Sequence, residues 1–304
     1  MRAKDFAMLL SLAAMWGASF LFIRIAVPTT GPIVLACLRV SLAALGLLVY
    51  ARLSRRDTAL RGRWRTFLLL GLVNAAIPFV LIATAELHLT AALAAILNAT
   101  TPLFAALLGV VWLGDRLTPR TASGLLCGLA GVAVLVGWSP LALDRALAVA
   151  VLASLLAALS YAVAGTIAER ASAGVPVLSL ALGQQLGAAA LLLPLAVPIV
   201  ATTPTTVQLS FPIALAIVAL ALLSTSVGYL LYFALIANIG PTRTLGVTFL
   251  VPPFGLLWGV LFLHEAVQPS TALGLLLILF SVLLTSGLRL RARVTAPVRV
   301  EQPR

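Results

Sequence analysis

The sequence predicts an all-α integral membrane protein of ten transmembrane helices in two inverted five-helix repeats. Three observations carry that expectation: apolar runs about as long as a bilayer is thick, basic residues gathered in alternate connections, and a glycine and proline pattern that returns 150 residues later (Pro102 to Pro252). Of 304 residues, 62% are hydrophobic and 9% charged, and the mean hydropathy is +1.16. A soluble domain carries roughly 25% charged residues, so a water-facing exterior has no material to be built from. Lipid accepts such a surface.

A hydrocarbon core about 30 Å thick takes about 20 apolar residues in helix. That window selects residues 5–27, 32–53, 66–86, 90–113, 121–137, 146–168, 177–200, 211–237, 242–263 and 269–288. Backbone groups in hydrocarbon must be satisfied within the protein, which leaves helices or closed barrels. The runs lack the period-two alternation of barrel strands, so each is expected to be helical. The first run, from Phe6 to Ile23, exceeds the 7–15 apolar residues or so of a signal-peptide core and is read as a retained helix. Cys37 and Cys127 both fall inside runs. Their spacing suggests neither a disulfide framework nor a metal site.

The net charge of +12 is distributed as orientation signals are, not as a nucleic-acid footprint. With the N-terminus inside, all basic residues but Arg24, Arg39 and Arg145 fall in inside segments, out of 20. They include Arg52, Arg55 and Arg56, then Arg61, Arg63 and Arg65, and the run Arg289 to Arg304. Both termini are therefore expected in the cytoplasm of an inner-membrane protein, with 289–304 a basic cytoplasmic tail.

Pro102–Gly137 and Pro252–Gly287 align without a gap. Pro102/Pro252, Phe104/Phe254, Gly109/Gly259, Leu113/Leu263, Pro119/Pro269, Gly124/Gly274 and Gly137/Gly287 coincide, and Asp115 matches Glu265 in charge. Paired Leu or Ala would be cheap in this composition; paired Pro and Gly are not. Two units follow, 5–137 and 146–288. Each holds five crossings, an odd number, so the Asp115 turn lies inside and the Glu265 turn outside. Halves of opposite orientation are the symmetry of alternating-access transporters.

The stretches that lend the chain a family resemblance lie in both units. They are Met15-Trp16-Gly17-Ala18-Ser19-Phe20 with Arg24, Gly71 to Phe79, Ala94 to Phe104, and Tyr232-Phe233-Ala234-Leu235 leading to Gly240-Pro241-Thr242-Arg243 and Pro252. In these the chain resembles the EamA family of the drug/metabolite transporter superfamily, over residues 5–287. The resemblance implies ten helices in inverted repeats. Helices one to four and six to nine would surround a central cavity, with the fifth of each half more peripheral. It further implies export of amino acids or other small metabolites. Ser160-Tyr161 departs from the family pattern, where Trp is frequent.

Polar side chains in hydrocarbon are costly and need an explanation. Asn74 and Asn98 serve either as interhelical hydrogen-bonding groups or as cavity lining; Thr100 and Thr101 are expected to bond between helices. Pro78, Pro102 and Pro252, with Pro253, are expected to break helices at mid-membrane depth, since proline has no amide and frees a carbonyl. Such breaks line transport cavities or are plain kinks. Arg24 lies near a span end and is able to snorkel. Arg39 lies deeper, and is either an anchor for a solute carboxylate or an ion-pair partner of Glu86. Trp16, Phe79, Tyr161, Tyr229, Tyr232 and Phe249 are the expected aromatic walls; Trp64, Trp138 and Trp258 read as interface or packing residues.

The acidic residues Asp5, Asp57, Glu86, Asp115, Asp144, Glu169, Glu265 and Glu301 all lie away from mid-span. Dependence on a membrane-embedded acid is therefore expected to be weak, which weighs against a rival reading as an exporter of drugs or toxic cations. No phosphate-binding loop is present, and His88 and His264 have no HExxH spacing. No cofactor or metal is expected, and a lipid-modifying enzyme is the remaining alternative from another class. The expected partners are a small-molecule solute and membrane lipid, with no nucleic acid. Gly124 and Gly128 form a Gly-xxx-Gly pair that serves either a homodimer or packing within the chain.

Overall fold

In a computed structural model the described residues are 2–56, 58–60, 62–112, 114–138, 144–171, 175–202, 210–244 and 246–285. The tail 289–304, and Asp57, Arg61, Leu113 and Gly287 among the residues named above, lie outside them. No strand occurs among the described residues. Eight helices are long and apolar enough to cross a membrane: α1 (Ala3–Thr30), α2 (Pro32–Leu53), α3 (Trp64–Ala85), α4 (Ala91–Trp112), α5 (Pro119–Gly137), α6 (Arg145–Ala168), α7 (Val177–Thr202) and α8 (Phe211–Ile239). Two shorter apolar helices follow, α9 (Val247–Leu263) and α10 (Pro269–Thr285).

Local chemistry fixes the element ends. Gly31, at φ +72°, is the single residue between α1 and α2. A side chain is poorly tolerated at that φ, and Pro32 follows at the first helical position, where its missing amide costs nothing. Thr90 caps α4 by accepting from the Leu93 amide at 3.2 Å, and Thr118 caps α5 by accepting from that of Thr121 at 3.2 Å.

Three helices are irregular near their middles. In α3, residues Leu72–Ala76 are wound as a π-helix. Pro78 offers no amide to the carbonyl four residues back, and the widened turn just before it absorbs the deficit. In α8 the π stretch is Ala219–Val227, and hydroxyls support it. Thr225 Oγ1 donates to the Leu220 carbonyl at 2.8 Å and Ser226 Oγ to that of Ala221 at 3.2 Å. α4 is interrupted at Ala99 and Thr100. Pro102 leaves the Asn98 carbonyl without an amide, and Thr101 Oγ1 donates to it at 2.8 Å. Thr100 Oγ1 likewise donates to the Leu97 carbonyl at 2.6 Å. These threonines therefore mend their own helix, and among the described residues no bond of theirs to another helix is found.

The break expected at Pro252 is absent. α9 runs unbroken through Pro252 and Pro253, and the interruption sits upstream, between the short turn Pro241–Thr244 and Val247. Close support from α1 holds the proline segment in line. A Cβ on Gly17 would lie 2.8 Å from the Gly255 nitrogen, so the two backbones nearly touch. Trp258 Nε1 donates to the Ala14 carbonyl at 2.9 Å. Trp258 is thus a packing residue, whereas Trp64 and Trp138 are exposed.

The helices pair in a regular way. α1 packs on α8 and α9, while α6 packs on α3 and α4; α2 packs on α7, and α5 on α10. Exchanging α1–α5 with α6–α10 leaves this set unchanged. Gly124, Gly128 and Gly131 on α5 lie against α10, where added Cβ atoms would meet Thr285, Ser281 and Ile278 at 2.6–2.9 Å. The Gly124/Gly128 face is therefore occupied within the chain.

Candidate functional site

At the centre lies a cavity of about 270 Å³. α1 contributes Trp16, Ser19, Phe20 and Ile23; α2 Arg39; α3 Asn74, Phe79 and Ile82. The interrupted turn of α4 contributes Asn98, Ala99, Thr101 and Pro102; α6 Tyr161; α8 Ser224, Tyr229 and Tyr232; α9 Thr248, Val251 and Pro252. Every helix that loses its regular winding does so where it meets this space, since irregular backbone at membrane depth survives only where it is buried or lines a cavity.

Arg39 is the charged group in this lining. It is 7% exposed, its Nε donates to Thr225 Oγ1 at 3.0 Å, and its guanidinium carbon lies 3.6 Å from the Phe79 ring centroid. The ring face attracts the cation, and the π stretch of α8 brings Thr225 to the guanidinium. No acidic side chain lines the cavity among the described residues. The alternative of an Arg39–Glu86 ion pair is not realised. Arg39 points at the cavity, whereas Glu86 lies one turn beyond the cavity residue Ile82 and its carboxylate oxygens have no hydrogen-bond partner among the described residues. Glu86 is also fully buried, which its place at a span end did not suggest. Arg24, expected to reach for the interface, instead donates Nη1 to the Glu86 backbone carbonyl.

Aromatic rings form much of the rest of the wall. Trp16 meets Tyr232 at 5.4 Å between centroids and Tyr229 edge-on at 6.4 Å and 71°, arrangements that ring quadrupoles favour. Gly228 makes room for the indole, for a Cβ there would lie 2.7 Å from Trp16 Nε1. Asn74 serves both of its expected roles: it lines the cavity and donates Nδ2 to Gln184 Oε1 on α7 at 2.8 Å. Gln184 and Asn74 also hydrogen-bond Tyr229. Asn98 Oδ1 has no hydrogen-bond partner among the described residues and remains an available acceptor.

Of the residues singled out from sequence, Trp16, Arg39, Asn74, Phe79, Asn98, Tyr161, Tyr229 and Tyr232 meet at this cavity, with Pro102 and Pro252. Phe249 and Pro78 are outside the lining. Phe249 is half-buried between the lining residues Thr248 and Val251, turned to another face of α9, and Pro78 is buried where the π turn of α3 ends. Sequence reasoning passed over Gln184, Ser224 and Thr225. The signal was present, since amides and a hydroxyl cluster inside apolar runs are expensive without a use. α7 supplies no lining residue, though Gln184 braces the site from behind.

Comparison with known proteins follows this architecture. YvbV of Bacillus subtilis (strain 168), described as an uncharacterized transporter, is 24% identical over 288 residues, covering 94% of this chain and 92% of that protein. YoaV of the same organism, described in the same words, is 20% identical over 271 residues, covering 89% and 92%. A protein of known crystal structure superposes with a TM-score of 0.64 at 23% identity, over 93% of this chain and 96% of that one. The EamA-like transporter family profile matches twice, at residues 5–137 and again at 148–287. A multi-pass helical chain matched end to end by that profile belongs to the EamA-like transporter family.

Proposed function

We propose that this protein is a secondary transporter that exports amino acids or similar small polar metabolites by alternating access, across an inner membrane crossed ten times with both termini in the cytoplasm. The observation that carries the solute class is Arg39. A guanidinium held in a cavity of about 270 Å³ without an acidic partner in the lining is left to a carboxylate supplied by the solute, a strong two-point contact. The rings of Trp16, Tyr229 and Tyr232 give an apolar wall for the rest of the molecule, and Asn98 Oδ1 gives an acceptor for an ammonium group. A cation exporter would need a negative group in the same place, and the lining offers none among the described residues.

Alternating access is supported by the twofold pattern. α3 and α8 each carry a π stretch, the helix contacts survive exchange of the halves, and the family profile matches each half separately. The test is a flux assay on the purified chain in proteoliposomes, preloaded in turn with radiolabelled amino acids, with their decarboxylated amines and with tetraalkylammonium ions. The reading requires that at least one amino acid leaves unaltered and that its amine does not compete. Efflux of amines and quaternary cations with amino acids retained would overturn it.

A further inference from the structure

Glu86 is the first residue past α3, and its side chain is fully buried. Neither carboxyl oxygen has a hydrogen-bond partner among the described residues. The surrounding elements explain why it is not neutralised. Arg24 of α1 directs Nη1 to the Glu86 backbone carbonyl. Arg39 of α2 is engaged with Thr225 and Phe79. Glu265, in the turn before α10, is itself committed to α4, accepting from the Ala91 and Ala92 amides at 2.7 and 3.0 Å. Arg24, Glu265 and Arg39 are the charges whose fields reach Glu86. On α6, which packs along α3, Asp144 and Arg145 sit at the exposed start, and His88 of its own turn is exposed.

Its position along the pathway gives this carboxyl its meaning. Ile23 and Ile82 line the cavity; Arg24 follows the first in sequence and Glu86 stands one turn beyond the second, with Leu87 and His88 exposed just past it. The chain therefore places a lone carboxyl between the cavity's apolar rim and the end of the molecule. An ionised carboxylate buried without partners is expensive, and a bound proton removes the charge. Were α1, α3 and the α9–α10 turn to separate, water would reach the group and stabilise its charge.

We propose that Glu86 is a proton site that couples proton movement to solute movement. While this end is open the carboxylate stands in water; as it closes, the carboxylate takes a proton from that water, because only the neutral form is cheap to bury. When the cavity opens at its other end, the O–H bond breaks, the electron pair stays on the carboxylate, and water entering through the cavity takes the proton, so that a proton crosses in the direction opposite to the solute. This rests on the transporter reading above.

The test uses the reconstituted full chain, a pH dye inside the vesicles and the radiolabelled amino-acid mixture as probe. A one-unit pH difference drives about a tenfold concentration ratio at one proton per solute, so the wild type should accumulate label toward tenfold and report proton flux. Glu86→Gln should abolish both the accumulation and the proton signal, and Glu86→Asp should retain them. Label that moves in the wild type with no proton flux overturns the inference and leaves the transporter reading standing. So does a Glu86→Gln variant that accumulates as the wild type does. Should that variant fail to fold, the wild-type proton signal and the Glu86→Asp response decide. No movement of any label by the wild type removes both readings.

Discussion

The two halves of the chain share a backbone plan and differ in chemistry. The turn after α4 and the turn after α9 are built alike: Gly114 at φ +75° and His264 at φ +54° occupy matching places. The amides of Asp115 and Glu265 reach back to the Gly109 and Gly259 carbonyls at 2.9 and 3.1 Å. α3 and α8 both carry a π stretch, in α3 beside a proline and in α8 on hydroxyls. Charge is another matter. Arg24, Arg39 and Glu86 all belong to the first half, and α7, α8 and α9 contain no Asp, Glu, Lys or Arg. Shape is duplicated while the electrostatic work falls to one half.

The sharpest way to break that asymmetry is Arg39→Leu. Solute efflux should fall at least about tenfold, equivalent to about 1.4 kcal/mol of lost interaction, with thermal unfolding in detergent little changed. Arg39→Lys should recover part of it, because an ammonium lacks the planar fork and stacks less well on Phe79. Unchanged efflux in Arg39→Leu would show that the charge of the first half is incidental.

Next in size are the close approaches that hold the halves together. Gly17→Leu forces a side chain into the Phe254–Gly255 backbone, an overpacking that costs about 1–3 kcal/mol. Thermal unfolding in detergent should show the loss. Gly137→Leu, where nothing lies within 4 Å, is the control expected to unfold as the wild type does.

A smaller effect separates the two matched acids. Glu265→Ala removes a carboxylate from two amides at the start of α4, worth about 0.5–2 kcal/mol for a helix cap. Asp115→Ala should cost less, since no amide bond to its carboxylate is found among the described residues. Equal losses in the unfolding curves would erase the distinction. The smallest contrast is in the turns. Gly114→Ala should destabilise by about 1 kcal/mol because the αL conformation penalises a Cβ, whereas His264→Gly should be neutral or stabilising by a few tenths of that. The same unfolding measurement reads both signs.

Much of this was legible in the sequence, and for physical reasons. Hydrocarbon imposes a length on each helix, so the long runs announced themselves, and the family profile matches residues 5–137 and 148–287. Arg39 and the aromatics stood out because charge and large rings are conspicuous in an apolar run. The depth of Glu86 did not: a span end looks exposed when written as a line, whereas in the fold Arg24 of α1 closes on it and its neighbours Ala85 and Leu89 pack against α6. Pro252 was misread as a break because proline chemistry is local, whereas the support from Gly17 and Ala14 on α1 is not. Gln184 needed α3 beside α7 before it had a purpose.

The opposed orientation of the halves is tested most directly by labelling. In a background with Cys37 and Cys127 replaced by alanine, single cysteines are placed at Arg116 and Ala266, both exposed beside the matched turns. A membrane-impermeant maleimide is then applied to intact cells and to permeabilised ones. The account predicts that the Ala266→Cys site reacts in intact cells and the Arg116→Cys site only after permeabilisation. Reaction of both from the same side would contradict it.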